Sequence, residues 1–441
     1  MNNGNGAARR RALLAGAIGT FVEFYDQALY GFFAATIATL FFPKENPSTA
    51  LLSTFAIFAV SFVVRPLGGV VWGHVGDKIG RRPALFMGVA IMSLATVAMG
   101  LLPGYDKIGL AAPILLLLFR LVQGFSVAGE YAGGTTFIVE HAPGDRRALY
   151  ASMIPASSNV GTIFAALVAI ITTSAISPEQ LISWGWRIPF LLALPLTLIA
   201  LLARLRVEES PVFTALQSEG RVESAPLIEA FKVAKKPMLL FIGWAMTASV
   251  SGYLVWAFLV SYLTRSAHFS NTQSLLVLIV ALLVSTAGCV VAGRAIDIAG
   301  TKRVAIAYVL GLGIWAIPTF ALLPHSSLLG AILIIAVFVI FSSGVATTLN
   351  LLFVDFFPAR VRVSASTLSY NICSMMFAGT APFIATFLIN GGHPLGPGYY
   401  LAGLAAISAL VAVFGFSNQT LGKGRHSITP VVTDSPQPAN A

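Results

Sequence analysis

Residues 73–82 read Gly-His-Val-Gly-Asp-Lys-Ile-Gly-Arg-Arg, and residues 293–302 read Gly-Arg-Ala-Ile-Asp-Ile-Ala-Gly-Thr-Lys. The pattern Gly-x3-Asp-x2-Gly thus recurs at an offset of 220, with Arg82 answered by Lys302 and Arg81 replaced by Thr301. A second pattern, Glu140-x2-Pro143-x3-Arg147, recurs as Asp355-x2-Pro358-x3-Arg362 at an offset of 215. Chance supplies one such match easily. Two in the same order argue for duplication of a larger unit.

Around these motifs lie long apolar runs. Six precede a charged stretch: Leu13–Phe42, Ala50–Gly76, Ala84–Leu102, Ala111–Val139, Tyr150–Ser174 and Trp184–Leu205. Six follow it: Met238–Thr264, Ser274–Ala292, Val304–Leu323, Leu328–Phe353, Ala365–Ile389 and Tyr399–Phe416. The first motif follows runs two and eight, the second runs four and ten. The 441 residues are 57% hydrophobic and 10% charged, with a mean hydropathy of +0.84. Soluble domains carry about 25% charged residues. This composition excludes a soluble enzyme, a disordered protein and a disulfide-rich secreted module. Runs of ~20 apolar residues suit membrane crossing, where only helices satisfy their own backbone. The expected fold class is an all-α membrane protein of twelve transmembrane helices in two pseudo-symmetric six-helix bundles, 1–205 and 237–417. Residues 206–236 form the linker, and 418–441, rich in Ser, Pro, Thr and Asn, form a disordered tail. Parallel six-span halves are a transporter plan, with the substrate site between them near mid-membrane.

The net charge of +10 does not indicate nucleic acid, because the basic residues stand in small groups between apolar runs. With the N-terminus placed inside, twenty-one of the 27 basic residues fall on the inner side and four (Lys44, Lys107, Arg187 and Arg265) on the outer. Arg204 is counted with the inner linker group; Arg65 and Arg120 lie within spans. This asymmetry follows the positive-inside rule and puts both termini in the cytoplasm, the chain crossing the plasma (inner) membrane many times. Trp184, Trp186, Tyr399 and Tyr400 are placed to form an aromatic belt at the outer ends. Glu23 and Asp26 interrupt any signal-peptide core behind Arg9–Arg11, so the first run is a retained span. Cys289 and Cys373 lie in apolar runs and give neither metal spacing nor a disulfide framework. No metal or cofactor is expected.

A charge at a helix centre in the bilayer costs at least ~2.5–3.5 kcal/mol. Five such residues therefore stand out: Glu23, Asp26, Arg65, Arg120 and Glu130. At 1.5 Å of rise per residue, Glu23 and Glu130 lie roughly 15 Å from the inner end of their spans, near mid-depth. Glu23, Asp26, Gln27 and Tyr30 share one helical face through i, i+3, i+4, i+7 spacing, a polar stripe that should face a cavity. Poor solvation favours the neutral form of a carboxyl group, so Asp26, Glu130 and Glu23 are candidates for the coupling proton. Arginine grips a carboxylate in a two-pronged way, which makes Arg120 and Arg65 candidates for substrate. The competing reading is that these charges form structural ion pairs. Thr367, Tyr370, Asn371 and Ser374 make another one-faced stripe; Gln123, Asn159, Tyr253, Trp256 and Asn350 are further candidate lining residues. In the loop motif, Gly73, Gly76 and Gly80 permit close backbone approach, and Asp77 can accept hydrogen bonds from a neighbouring helix N-terminus. Arg81 and Arg82 can pair with nearby acids. Glu140, Arg147, Asp297, Asp355 and Arg362 complete the set of candidate gate residues.

Taken together, the chain resembles the major facilitator superfamily, and within it the metabolite:proton symporters. The resemblance rests on the 73–82 motif, on Glu23-Phe-Tyr25-Asp26, on Arg65-Pro66-Leu-Gly68-Gly69, and on Arg120-Leu-Val-Gln123-Gly124-Phe-Ser with Gly129-Glu130. Gln27 stands where an aromatic commonly follows the Asp, and Ala128 where a Gly often precedes the Gly-Glu pair. The resemblance implies proton-coupled import, by alternating access, of a small carboxylate-bearing metabolite such as an organic acid or a proline- or betaine-like zwitterion. It also implies that the loop cluster latches the cytoplasmic side. The expected partners are substrate, protons and lipid, and the expected functional unit is a monomer. An ATP-driven pump would need a Gly-Lys-Ser/Thr phosphate loop, and an intramembrane protease a His within reach of Ser126; neither is present. An uncoupled facilitator or a proton-antiport exporter remains the alternative.

Overall fold

The computed structural model describes residues 3–43 and 47–417. The 418–441 tail, with Lys423 and Arg425, and Lys44 on the other side of the count lie outside the described residues. Every regular element among the described residues is helical. Eleven helices are long and apolar enough to cross a membrane: Ala56–Lys78, Arg81–Leu101, Ala111–Glu140, Arg147–Ala175, Arg187–Leu205, Lys235–Arg265, Asn271–Ala299, Thr301–His325, Leu328–Asp355, Ala359–Asn390 and Gly396–Gly415. These are spans two to twelve. Span one is Asn3–Phe32, continued after Phe33 by Ala34–Phe41; Glu23, Asp26 and Gln27 dilute its apolar character. The twelve helices form two six-helix bundles. Two short helices, Pro211–Ser218 and Pro226–Val233, lie in the connection between them.

Within the first bundle, span one packs on spans five and six, and span three on spans four and six. Within the second, span eight packs on ten, nine on twelve, and seven on eleven. The bundles meet along two seams, span two against span eleven and span five against span eight. The repeated glycines make both seams close. A Cβ on Gly73 would fall 2.7 Å from the Cα of Ser364, and one on Gly293 would fall 2.9 Å from the Cα of Leu149. Any larger residue would hold the backbones apart.

Leu94, Leu239, Ile314 and Phe383 stand largely exposed on the outer surface. In water such a surface would be unstable; against lipid tails it costs nothing. The aromatic belt needs one correction. Trp184 and Tyr399 are exposed, but Trp186 is buried, packed edge-on against Phe41 and beside Phe190. It is a core residue that happens to sit near a span end.

Candidate functional site

Spans two, four, seven and eleven each change course part-way along. In span two, the helix Pro47–Val63 stops and a new one starts at Arg65, because Pro66 removes a backbone donor and constrains the residue before it. In span four, helix Ala111–Val127 gives way to Glu130–Glu140 across Ala128 and Gly129. Span seven makes a π-turn at Leu254–Phe258, directly after Tyr253, and span eleven makes one at Ser374–Ala378. Such π-turns recur at functional sites. The breaks put Arg65, Glu130, Tyr253 and Ser374 at the joints.

An internal cavity opens between the halves. Tyr131 and Asn159 line it from the first half, and Tyr253, Trp256, Ser285 and Tyr370 from the second. Its walls are tied by aromatic contacts that cross the seam. Tyr131 stacks on Tyr370 with centroids 5.1 Å apart, Phe24 meets Trp256 edge-on at 4.9 Å, and Phe62 meets Tyr253 at 5.5 Å. Hydrogen bonds cross as well. Asn350 Nδ2 donates to the Tyr131 hydroxyl (2.9 Å), and Trp256 Nε1 donates to Asn159 Oδ1 (3.3 Å), whose Nδ2 donates to Ser285 Oγ (3.0 Å).

The polar stripe of span one does not itself line the cavity; Gln27 alone reaches a lining residue, while Asp26 and Tyr30 turn into the first bundle. The Tyr253 hydroxyl donates to Gln27 Oε1 (3.3 Å) with the Arg65 charge close by, so one phenol from the second half is tied to span one of the first. The Arg65 guanidinium lies 4.2 Å from the Phe62 ring centroid. Glu23 is buried, with Arg65 the opposite charge that bears most on it. Its Oε2 has no hydrogen-bond partner among the described residues.

Asp26 belongs to a second network inside the first half. Thr96 Oγ1 donates to Asp26 Oδ2, and Gln123 Nε2 donates to the same oxygen (3.0 Å). Arg120 Nη1 donates to Gln123 Oε1 (2.8 Å), so Arg120 reaches Asp26 through an amide and not directly. Its guanidinium lies 4.2 Å over the Tyr30 ring and 5.2 Å from that of Phe58. Tyr30 is itself fixed by donating to the Thr54 carbonyl (3.0 Å). Asp26 Oδ1 has no partner among the described residues.

Of the residues expected to line the cavity, Tyr30, Arg120 and Gln123 belong to this second network and not to the cavity wall, and two others stand elsewhere again. Glu130 does not face the cavity. Its carboxylate is bound by both terminal nitrogens of Arg204, which also donates to the Leu85 and Ala15 carbonyls. Arg204 is correspondingly not a loop charge: it lies in the last turn of span six at 3% exposure. Asn371 does not line the cavity either; its amide donates to the Ala128 and Thr367 carbonyls, tying span eleven to the break in span four. Thr96 and Arg204 are the residues that sequence reasoning missed. A threonine in an apolar run carries no signal, and an arginine at a span end reads as an orientation charge.

At the end of the bundle carrying the repeated loops, here called the motif end, the two patterns interlock crosswise. Asp77 accepts from the backbone N–H groups of Val363 (3.2 Å) and Ser364 (2.8 Å), at the start of the helix beginning at Arg362. Asp297 does the same for Ala148 (2.9 Å) and Leu149 (3.0 Å), at the start of the helix beginning at Arg147. A carboxylate there satisfies orphan donors and meets the positive end of the helix dipole. The second pattern pairs with its own copy: Arg362 with Glu140 (2.6 Å) and Arg147 with Asp355 (2.8 Å). Arg81 adds bonds to Asp77 (3.2 Å), to the Gly76 carbonyl (2.7 Å) and, across the seam, to the Ala359 carbonyl (3.1 Å). The linker clasps this cluster. Ser210 Oγ donates to Glu140, and the Phe213 ring lies 5.1 Å from the Arg81 guanidinium. Glu209 accepts from the Arg81 and Arg82 backbone N–H groups (3.1 Å each to one of its oxygens). Arg82 donates to the Arg204 and Leu205 carbonyls, closing the end of span six.

Two duplicated helix bundles meeting around a buried cavity, with one end pinned by reciprocal caps, are the build of a membrane transporter. Residues 16–379 match the Major Facilitator Superfamily. The chain is 34% identical over 439 residues to the "Glycine betaine/proline/ectoine/pipecolic acid transporter OusA" of Dickeya dadantii, covering 96% of this chain and 86% of the relative. It is 33% identical over 440 residues to the "Proline/betaine transporter" of Escherichia coli K12, with the same coverage of 96% and 86%. Among solved structures, the proton:xylose symporter XylE bound to 6-bromo-6-deoxy-D-glucose superposes with a TM-score of 0.81 at 17% identity, covering 96% of this chain and 100% of that one. The partially occluded inward-open xylose transporter of E. coli gives a TM-score of 0.70 at 17% identity, covering 92% and 99%. The chain belongs to the Major Facilitator Superfamily. It is a multi-pass membrane transporter for a small molecule, not an enzyme, and the resemblance drawn from the loop motif and from spans one, two and four points to the same family.

Proposed function

We propose that the protein is a proton-coupled importer of a small zwitterion with an ammonium group and a carboxylate, of the proline or betaine kind. The observation that carries this reading is the Tyr253 junction. The phenol bonds Gln27 across the seam, with the Arg65 charge beside it and a buried Glu23 carboxylate that has an unpartnered oxygen. Arg65 supplies a fork for the substrate carboxylate. The aromatic lining from Tyr131, Tyr253, Trp256 and Tyr370 suits the ammonium group, since ring faces attract cations, quaternary ones included. Glu23 and Asp26 are the groups that take the coupling proton. When substrate on Arg65 displaces the Tyr253 hydroxyl from Gln27, the hydrogen bond joining the two halves at that point is lost, which links binding to the rocking of the bundles. The sense of the basic asymmetry supports a cytoplasmic motif end, with both termini on that side of the plasma membrane. The cavity is lined by one chain, which supports a monomer as the working unit.

The names of the relatives support trying glycine betaine and proline first. In proteoliposomes, an acidic-outside gradient of one pH unit supplies about 1.4 kcal/mol per proton, enough for about tenfold accumulation. Accumulation of either compound that collapses with a protonophore supports the reading. Uptake that merely equilibrates, unaffected by the gradient, identifies a facilitator and overturns it.

A further inference from the structure

We propose that the first bundle holds a proton exit separate from the substrate cavity, running from Glu23 through the Glu130–Arg204 pair to a crevice at the motif end. The proposal rests on the proton coupling argued above. Its geometry begins at Gly19, where a Cβ would overlap both the Glu130 carboxylate and the Arg204 guanidinium. The pair therefore lies directly against span one. Gly19 and Glu23 are i and i+4 on one helical face, about 6 Å apart along the axis. Glu23 is buried beside Arg65, and the Glu130–Arg204 pair lies one turn closer to the motif end.

Beyond the pair lies a crevice lined by Ala15, Gly16, Arg82, Phe137, Arg204 and Val207, with room for about one water molecule. Arg82 is partly exposed at its outer side and holds the Arg204 carbonyl. The charges around Glu130 are Arg204 of span six, Glu23 and Asp26 of span one, Arg65 of span two acting on Glu23, and Arg82 of span three behind Arg204. The pair is thus a buried ion pair within the first bundle, set apart from the Arg81–Asp77 pair at the seam.

Each step moves one proton. The Glu23 O–H bond breaks as its proton passes to one bridging water, which gives up another to form an O–H bond on Glu130; this neutralises the partner of Arg204 and loosens the pair. Glu130 then gives the proton to water in the crevice, and the carboxylate returns to Arg204. Water is the only co-reactant. Because this path bypasses both seams, proton release does not require the motif end to part.

The test uses the full-length protein in proteoliposomes enclosing a pH-sensitive dye, with glycine betaine and proline as probes. Two rates are read: substrate-driven proton entry, and exchange of labelled for unlabelled substrate at equal pH, which needs no net proton release. Glu130→Gln keeps a hydrogen-bond acceptor for Arg204 but cannot carry the proton onward. Val207→Phe fills the crevice from its buried wall and alters neither side chain of the pair. Both variants should lower proton entry by at least about tenfold while exchange stays within about twofold of the parent rate. If Glu130→Gln does not fold, Val207→Phe decides alone. Proton entry at the parent rate in the plugged variant overturns the exit while leaving proton symport intact. Absence of substrate-driven proton entry in the unaltered protein overturns the coupling itself, and the exit with it.

Discussion

Asp26 accepts from Thr96 and Gln123 through one oxygen and leaves the other without a partner in a buried site. That arrangement has room for a proton on the free oxygen. Asp26→Asn should therefore abolish gradient-driven accumulation while leaving labelled exchange measurable, and comparing the two assays on one preparation checks it. Tyr253→Phe removes the hydroxyl that donates to the half-buried Gln27 beside the buried Arg65. An orphaned buried polar group costs about 1–3 kcal/mol, so the variant should weaken substrate binding by roughly tenfold or more, read by a thermal shift with glycine betaine. The polar stripe of span one was legible because i, i+3, i+4, i+7 spacing is local. The partners of its neighbours were not. Thr96 lies 70 residues from Asp26 and Arg204 lies 74 from Glu130, and only packing of the bundle brings them together.

At the scale of single helices, the motif aspartates act as caps supplied from the opposite half. Capping residues contribute about 0.5–2 kcal/mol each, and here that stabilisation exists only while the seam is closed. Asp77→Asn keeps one acceptor but loses the charge, so it should reduce transport rate more than substrate affinity; separate measurement of KM and kcat distinguishes the two. Gly73→Leu is harsher. Its first side-chain atom would meet the Ser364 backbone at 2.7 Å, which cannot yield as a flexible side chain does. Overpacking of this kind costs about 1–3 kcal/mol, and the variant should lose transport while each bundle keeps its helical circular dichroism. The glycines and aspartates of the motif announced a close crossing with a helix N-terminus in it. Which helix that was depended on the fold, since the capped segment at Val363 lies 286 residues away from Asp77.

For the whole molecule, the duplication seen in two offsets becomes a physical exchange. The acid of each second-pattern copy meets the arginine of the other, Glu140 with Arg362 and Asp355 with Arg147. Breaking a buried pair by removing one partner costs about 3–5 kcal/mol, a bias large enough to move a two-state equilibrium over a hundredfold. Glu140→Gln should accordingly shift the protein towards a form open at the motif end, seen as a longer spin-label distance across that end. The linker, which reads in the sequence only as a charged interval, takes part through Ser210, Glu209 and Phe213. Nothing in its composition announces that role, because each contact depends on where spans three and four end.

The twofold plan is imperfect at one position. Arg81 ties Asp77, Gly76 and Ala359 together, whereas Thr301 occupies the corresponding place beside Asp297. One margin of the molecule therefore has a bolt that the other lacks. The halves should part first where spans five and eight touch and pivot about the line where two and eleven touch, in the manner of a book opened from its fore-edge. Paired probes at positions 149 and 298 would then separate earlier in the cycle than a pair at 78 and 363. Installing arginine at Thr301 should even out the order and slow the turnover.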